Sequence, residues 1–146
     1  MRISTKGRYG VRIMMELANR YGEGPVLVGD IEKSQEISGK YIHVLVGGLR
    51  AAGLIRAARG RYGGYTLTRD PSSITLLDVV SSLEGGSAPV ECVADASACG
   101  RSGHCAARDV WCDIAAAIDG VLSGITLAQL ASQQRKKSRE IATYSI

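Results

Sequence analysis

The sequence predicts a mainly α (α+β) protein: a winged helix–turn–helix with a two-stranded wing, followed by a cysteine loop and a long dimerisation helix. Three observations predict it. An amphipathic helix begins at Ser38, and a hairpin with a basic, glycine-rich turn follows it at once. After a cysteine-containing stretch without apolar periodicity, a long apolar stripe begins near Ala106. An apolar helix appended to a recognition helix and wing is typical of a dimer interface.

The helix–turn–helix is predicted from apolar spacing in the first third of the chain. Apolar residues predict one helix from about Lys6 to Tyr21, and a shorter helix covers Asp30 to Ser34. The segment from Val26 to Val28 is expected to extend and to pair with the hairpin. A tight turn then leads to Ser38, whose side chain can cap the next helix. Two helices joined in this way, the second with a basic face, are the usual arrangement for entering a DNA groove.

The wing is predicted by two short extended runs around a glycine-rich turn. The recognition helix is expected to end at Gly53, since glycine readily adopts the left-handed conformation that closes many helices. An extended run starts at Leu54, the turn spans Arg59 to Gly64, and the chain returns from Tyr65 to Thr68. The net charge of +4 and the pI of about 9.0 are a mild indication of a polyanionic partner. We therefore expect this unit to bind double-stranded DNA.

The candidate DNA-binding residues lie on the predicted recognition helix, the wing and the first helix. They are Lys6, Arg8, Ser38, Lys40, Tyr41, His43, Arg50, Arg59 and Arg61. Those on the recognition helix are expected to face bases or phosphates of the major groove, and the wing arginines the adjacent minor groove. For Lys6 and Arg8, phosphate contact and a simple solvated helix face are equally compatible with the pattern.

Three further segments are predicted in the rest of the chain: a helix after the wing, a short helix near the end and a tail. Thr75 and Asp78 resemble a capping box, and the helix they begin runs to about Glu84. A short helix is predicted from Thr126 to Gln133 after the long one. Polar and basic composition at the end predicts a mobile tail. The expected boundaries are 1–84 for the DNA-binding domain, 85–105 for the cysteine loop, 106–134 for the dimerisation helix and short helix, and 135–146 for the tail.

Composition argues against several classes of protein. No run approaches the roughly 18 apolar residues that a membrane-spanning helix needs, and the first residues lack the apolar segment of a secretory signal. We expect a cytoplasmic protein without membrane association, whose cysteines are reduced. The chain has no nucleophile–base pair and no phosphate-binding glycine loop. We therefore expect that it is not an enzyme.

Three of the four cysteines lie in the aperiodic segment. Cys92, Cys99 and Cys105 are separated by six and five residues, and Cys112 follows seven positions later within the long helix. This spacing differs from the short CxxC pairs of most structural zinc sites. Widely spaced thiols in a glycine-rich loop suit a 2Fe–2S cluster, and zinc binding and thiol redox chemistry remain open on spacing alone.

Motifs along almost the whole chain resemble one family of regulators. They are the opening MRISTKGRYGV, GPV at 24–26, LRAAGLI at 49–55, RGRYGGYTL at 59–67, ITLLDVV at 74–80 and ITLAQL at 125–130. Together with the three-cysteine loop they resemble the IscR/NsrR-type (BadM/CymR-related) family of bacterial winged-helix transcriptional regulators. The resemblance implies a homodimer that binds operator DNA, and it implies that Cys92, Cys99 and Cys105 hold a 2Fe–2S cluster.

The fourth cluster ligand departs from the family pattern. The family's iron–sulfur-biogenesis regulator carries a histidine three residues after the third cysteine, where this chain has Arg108. Nitric-oxide sensors take an acidic ligand from the first helix of the partner subunit, and the matching residue here is Arg8. Arginine does not ligate iron, so the metal-binding set is completed here with His104. Asp109, Cys112 or a residue of the partner subunit are the alternatives.

The recognition helix departs from the pattern too. Biogenesis regulators carry a small hydroxyl and a glutamate where this chain has Lys40 and His43, so operator preference is expected to differ. The resemblance implies a repressor that senses iron–sulfur cluster status and regulates cluster-biogenesis genes, with iron–sulfur assembly proteins as further partners. The alternatives are a cluster-dependent nitric-oxide or redox sensor and a cluster-free regulator that senses through its thiols.

Overall fold

The computed structural model describes residues 3–145, of which residues 3–84 form a winged helix–turn–helix. The helices are α1 (Thr5–Asn19), α2 (Val28–Gln35), α3 (Gly39–Ala51) and α4 (Leu76–Glu84). Between α3 and α4, strands β1 (Ile55–Ala58) and β2 (Gly64–Leu67) form an antiparallel hairpin. A single 3₁₀ turn, Pro71–Ser73, links the hairpin to α4.

The last third is helical as well. The elements are α5 (Glu91–Ala94), the 3₁₀ turns Ala96–Ala98 and Ser102–His104, and the long helices α6 (Ala106–Ser123) and α7 (Leu127–Tyr144). None of the helices in residues 3–145 combines the length and apolar character needed to cross a lipid bilayer.

Several local predictions are confirmed at the level of hydrogen bonds. The Ser38 side chain accepts a hydrogen bond from the backbone N–H of Tyr41 and caps α3. Gly53 has φ +72°, the left-handed conformation expected after α3. Thr75 and Asp78 form the predicted capping box at the start of α4. These interactions span no more than three residues, so they could be read from the local sequence.

The predicted pairing of the segment before α2 with the hairpin is present but shorter than expected. Val26 exchanges two backbone hydrogen bonds of 2.9 Å with Tyr65 of β2. Val28, which was also expected to extend, already begins α2. Its backbone has helical dihedral angles and its C=O group is directed along the helix, so it does not continue the pairing with the hairpin.

One core joins the helix–turn–helix, the base of the wing and the start of α7. Fully buried side chains include Ile13, Ile42, Leu49, Val79 and Leu127. The start of α7 is anchored beside α4, because Leu127 N–H donates to Ile74 O and Leu76 N–H donates to Ile125 O, both at 2.9 Å. Hence the C-terminal helix packs on the winged helix–turn–helix rather than only on α6.

The prediction of a short last helix and a tail from residue 135 was wrong about secondary structure, because α7 continues to Tyr144. Apolar periodicity stops at Ala131, and residues 132–145 are all exposed. Residues 127–144 contain no glycine or proline and are rich in Gln, Arg, Lys and Ala, which favour helix without any packing. Intrinsic propensity therefore extends the helix beyond its buried part. Residue 146 of the predicted tail lies outside the described residues.

Candidate DNA-binding surface and cysteine loop

The recognition helix α3 buries one face and exposes a basic one. The buried side chains are those of Ile42, Leu45, Val46 and Leu49. Lys40, His43 and Arg50 are exposed, as is the capping residue Ser38. This burial pattern places the cationic and imidazole groups where a DNA groove can reach them.

Two residues of α3 differ from the expectation. Tyr41 is half-buried, and its ring packs edge-on against Tyr9 of α1 with ring centroids 5.9 Å apart. Part of this side chain is therefore used to hold α3 against α1. Val44, which is not among the predicted site residues, is 60% exposed beside His43 and one helical turn after Lys40. An exposed valine on a recognition helix can contact the methyl group of thymine.

The first turn of α1 presents the other predicted cations. Lys6 and Arg8 are exposed there. Arg12, one turn further on, is instead half-buried beside the Tyr9 ring and donates to the backbone and side-chain oxygens of Gln35. The basic start of α1 thus splits into two exposed cations and one that joins α1 to α2.

A network of polar side chains connects α1 to α2, the first of the two helices of the helix–turn–helix. Glu16 is only 8% exposed, accepts a hydrogen bond from Gln35 Nε2 at 3.0 Å, and pairs with Arg20 at 3.0 Å. Arg20 also pairs with Asp30 of α2 at 3.3 Å. Because the buried carboxylate has both a hydrogen bond and a counter-charge, the network holds the helices in register instead of destabilising them.

The wing carries its arginines at an exposed tip. Arg59 and Arg61 are exposed between β1 and β2, and the Arg61 guanidinium lies 5.9 Å from the centre of the Tyr62 ring. Tyr62 is 80% exposed and was not predicted as a site residue. Gly64 has φ +154°, and a Cβ atom there would overlap the backbone oxygen of Val26. Only glycine permits the close approach that anchors the wing to the body.

The cysteine loop is organised by short helical turns and local hydrogen bonds. Asp95 caps the turn Ala96–Ala98 by accepting from the backbone N–H and the hydroxyl of Ser97 at 2.9 and 2.7 Å. These hydrogen bonds, first from the side chain and then from the backbone of Ser97, hold the pKa of Asp95 below its ordinary value. A segment without apolar periodicity is therefore ordered by turn chemistry.

The predicted metal ligands occupy different positions on this loop. Cys92 and Cys105 are half-buried, while Cys99 and His104 are exposed. Cys105 is the residue that precedes the first turn of α6. Cys112 is half-buried within α6.

Arg108 closes the loop at its base. Its Nε donates to the backbone oxygen of Cys92 at 2.9 Å, which ties the start of the loop to the first turn of α6. The hydroxyl oxygen of Ser102 is shielded from solvent and has no hydrogen-bond partner among residues 3–145. Arg108 thus holds the backbone of the first cysteine of the loop against α6.

The loop fits a cluster by the chemistry of its donors. All four cysteines are free thiols, the ligand type that iron–sulfur clusters use. Across the described residues, however, no group of three or more Cys, His, Asp or Glu side chains is gathered closely enough to hold a single metal ion. Three thiols are thus present in the loop, and they are not gathered around one point.

Helix α6 exposes large apolar side chains. Val110, Trp111 and Val121 are 52%, 39% and 64% exposed, whereas Ala115 is buried against the rest of the chain. An apolar stripe of this kind on an 18-residue helix is typical of a surface that another subunit covers.

Comparison with known proteins agrees with this architecture. A model of the Rrf2 family, described as iron-dependent transcriptional regulator, matches residues 3–133. The HTH-type transcriptional regulator CymR of Bacillus subtilis (strain 168) is 44% identical over 132 residues, covering 90% of this chain and 91% of that protein. The HTH-type transcriptional regulator IscR of Escherichia coli O1:K1 / APEC is 36% identical over 140 residues, covering 92% and 82%.

Solved structures give the same result. The structure of B. subtilis CymR, described as the global cysteine regulator, has a TM-score of 0.76 at 43% identity and covers 91% of this chain and 98% of that one. The structure described as T. potens IscR has a TM-score of 0.74 at 36% identity and covers 92% and 88%. The predicted winged helix–turn–helix and the resemblance to IscR/NsrR-type regulators are confirmed. Since these relatives are regulators, the prediction that the chain is not an enzyme is confirmed as well. The chain therefore belongs to the Rrf2 family of transcriptional regulators.

Proposed function

We propose that this regulator is a cytoplasmic homodimer that binds operator DNA with α3 and the wing, and that its cysteine loop controls this binding. The observation that carries the DNA-binding part is the exposed face of α3, where Lys40, His43 and Arg50 stand opposite a fully buried apolar face. Lys40 and His43 are three residues apart and so lie within one turn of α3, which lets both side chains reach the same stretch of the major groove. Val44, next to His43 and one helical turn after Lys40, adds an apolar contact to thymine.

The wing and α1 add contacts on either side of the recognition helix. Arg59 and Arg61 at the wing tip are suited to the adjacent minor groove, where a narrow A·T tract attracts arginine. Lys6 and Arg8 are suited to phosphates, which position the protein without reading sequence.

Dimerisation is supported by the apolar surface of α6. Val110, Trp111 and Val121 would be buried by a second copy of the same helix, which removes their apolar area from water. A two-fold dimer would present two recognition helices to a pseudo-palindromic operator.

For the sensing part we propose an iron–sulfur cluster held by Cys92, Cys99 and Cys105, with His104 as the fourth ligand. The proposal is supported by three free thiols in one loop and by the family description as iron-dependent regulators. When bound, such a cluster supplies a redox-active and labile group whose presence depends on iron and sulfide. The chain's own residues hold the loop for it: Arg108 fixes Cys92 to α6, and Asp95 fixes the turn that leads to Cys99. The proposed signal is cluster supply, and the proposed targets are cluster-biogenesis genes, with assembly proteins as partners.

The test is the iron content of protein isolated without oxygen, measured for serine replacements at each of the four cysteines. About two irons and two sulfides per chain are expected for the wild type. Cys92→Ser, Cys99→Ser and Cys105→Ser should lose them. Cys112→Ser is the matched control and should keep them, since this residue lies within α6 outside the loop. Iron-free wild-type protein would contradict the cluster.

A second candidate is a cluster-free regulator that senses through the thiols themselves. It is favoured by the dispersed arrangement of the loop thiols and by the similarity to a protein described as the global cysteine regulator. This candidate predicts colourless protein whose affinity for operator DNA changes when Cys99, the exposed thiol, is oxidised or alkylated. Nitric-oxide sensing would instead require the cluster and would appear as loss of its visible absorption on exposure to nitric oxide.

A further inference from the structure

The last turn of α4 contacts both α1 and α3. The Leu83 side chain occupies a notch formed by two glycines: a Cβ atom on Gly10 of α1 would overlap Leu83 Cδ1, and one on Gly48 of α3 would lie 3.0 Å from Leu83 Cδ2. Any other residue at Gly10 would push Leu83 out of this notch. One side chain of α4 therefore determines how closely the first helix and the recognition helix approach it.

The neighbouring residue Glu84, which belongs to α4, caps the start of α1 with its side chain. Its Oε1 accepts hydrogen bonds from Ser4 N–H at 2.9 Å, from the Ser4 hydroxyl at 2.7 Å and from Gly7 N–H at 3.2 Å. The first turn of α1 contains no acidic residue of its own. Glu84 thus supplies the negative charge that the start of a helix favours, and it orients the turn on which Lys6 and Arg8 lie.

The cysteine loop follows directly after the last turn of α4 in the chain. Gly85 and Gly86 follow Glu84 with φ values of +79° and +127°, and Cys92 comes eight residues after Glu84. The connection is loosely packed, because residues 84–91 line a cavity of about 490 Å³ against Ala115 and Asp119 of α6. Going back along the chain from the loop, Leu83 and Glu84 are the first residues whose side chains contact α1 and α3, so a change in the loop can reach those helices through them.

We propose that Leu83 and Glu84 are positioning residues that transmit the state of the cysteine loop to the DNA-binding helices. Leu83 acts on the recognition helix through Gly48, and Glu84 acts on the phosphate-facing turn of α1 through Ser4 and Gly7. The inference rests on the proposed control of DNA binding by the loop. Coupling requires that the two states of the loop hold this turn differently, and effects of this kind typically amount to about 5- to 150-fold in affinity.

The test compares affinities, so that coupling is separated from a loss of binding. Full-length protein is used without oxygen, with a DNA duplex selected from a random library by the wild type. The loop is altered by the triple replacement Cys92→Ser, Cys99→Ser, Cys105→Ser. The dissociation constant is measured for protein with and without this triple replacement, in the wild-type background and in the Glu84→Ala background.

The measured quantity is the ratio of the two constants in each background. We expect a ratio of about tenfold in the wild type, within the usual range of coupling, and less than about threefold with Glu84→Ala. The matched control is Glu32→Ala. Glu32 Oε1 also caps a proposed DNA-binding helix, α3, by accepting a hydrogen bond from Gly39 N–H at 2.9 Å, but Glu32 is not connected directly to the cysteine loop. This control should weaken binding with the ratio unchanged.

The outcomes separate the inference from the proposed function. A wild-type ratio near one would overturn control by the loop, and this inference with it. A clear wild-type ratio that Glu84→Ala leaves unchanged, or that Glu32→Ala reduces equally, would overturn the inference alone. If Glu84→Ala does not fold, Glu84→Gln serves instead, because it keeps an acceptor oxygen and removes only the charge, and it should reduce the ratio in the same direction.

Discussion

The exposed cations at the start of α1 give the most quantitative prediction. We consider the double replacement Lys6→Gln, Arg8→Gln, which keeps both side chains long and polar. Both residues are exposed, and the Arg8 side chain makes only weak local contacts: a 3.4 Å hydrogen bond to Thr5 and an approach of its guanidinium to 5.9 Å from the centre of the Tyr9 ring. The substitutions should therefore change stability by no more than about 0.5 kcal/mol, as is usual for surface positions.

The expected magnitude follows from the release of counterions. Each phosphate contact contributes about 0.9 to the slope of log K against log salt concentration. Two cations in each of two subunits make four contacts, so the slope should fall by about 3.6 if all four are formed. At 0.15 M salt this corresponds to a loss of up to roughly a thousandfold in affinity, on both operator and random DNA.

The assay is fluorescence anisotropy of a labelled duplex at five or more salt concentrations. The matched control is Lys136→Gln, Lys137→Gln, which removes the same charge from the exposed part of α7. A slope unchanged by the α1 replacements would refute phosphate contact by this turn. An equal fall in the control would show that net charge, rather than position, is responsible.

Three further predictions concern the wing, the dimer helix and the end of the chain. Arg59→Ala should weaken binding to the selected operator by about 1–3 kcal/mol, as for a lost base-edge contact, and weaken random DNA less; equal losses in a competition assay would refute readout by the wing. Val121→Asp should convert the dimer to folded monomers in analytical ultracentrifugation, because this residue is 64% exposed in the single chain and would be buried by a partner; a variant that stays dimeric would contradict pairing through this face of α6. Truncation after Arg135 should lower the melting temperature by no more than about 2 °C, since residues 136–145 are exposed and the hydrogen bond from Arg135 to Asn19 is kept; a larger fall in calorimetry would show that the end of α7 packs on the subunit.

Most of the fold could be predicted because its signals are local. The Ser38 cap, the left-handed Gly53 and the capping box at Thr75 each depend on neighbours within a few positions. The hairpin follows from a glycine-rich turn between two short extended runs. The length of α7 was missed, because apolar periodicity reports burial and this part of the helix buries nothing.

The candidate site was less completely predictable. The helical period identified the outer face of α3 but not the limits of that face. Tyr41 was expected on the surface, but its ring packs partly on Tyr9. Val44 is exposed but was not predicted as a site residue. Arg12 belongs to the same basic run as Arg8, and only its contact with Gln35 distinguishes the two. Periodicity cannot resolve such differences, since the partner of a long side chain is chosen by packing.

The sequence by itself determined the order of the elements, the basic recognition helix and wing, and the presence of three thiols in one loop. These features follow from residue type and spacing over short stretches of chain. Only the tertiary structure decided that the segment before the loop touches both α1 and α3. Leu83 meets glycines of α1 and α3, and Glu84 meets Ser4 across 80 positions of sequence. Contacts between residues so far apart depend on how whole helices pack, and local propensity carries no information about them.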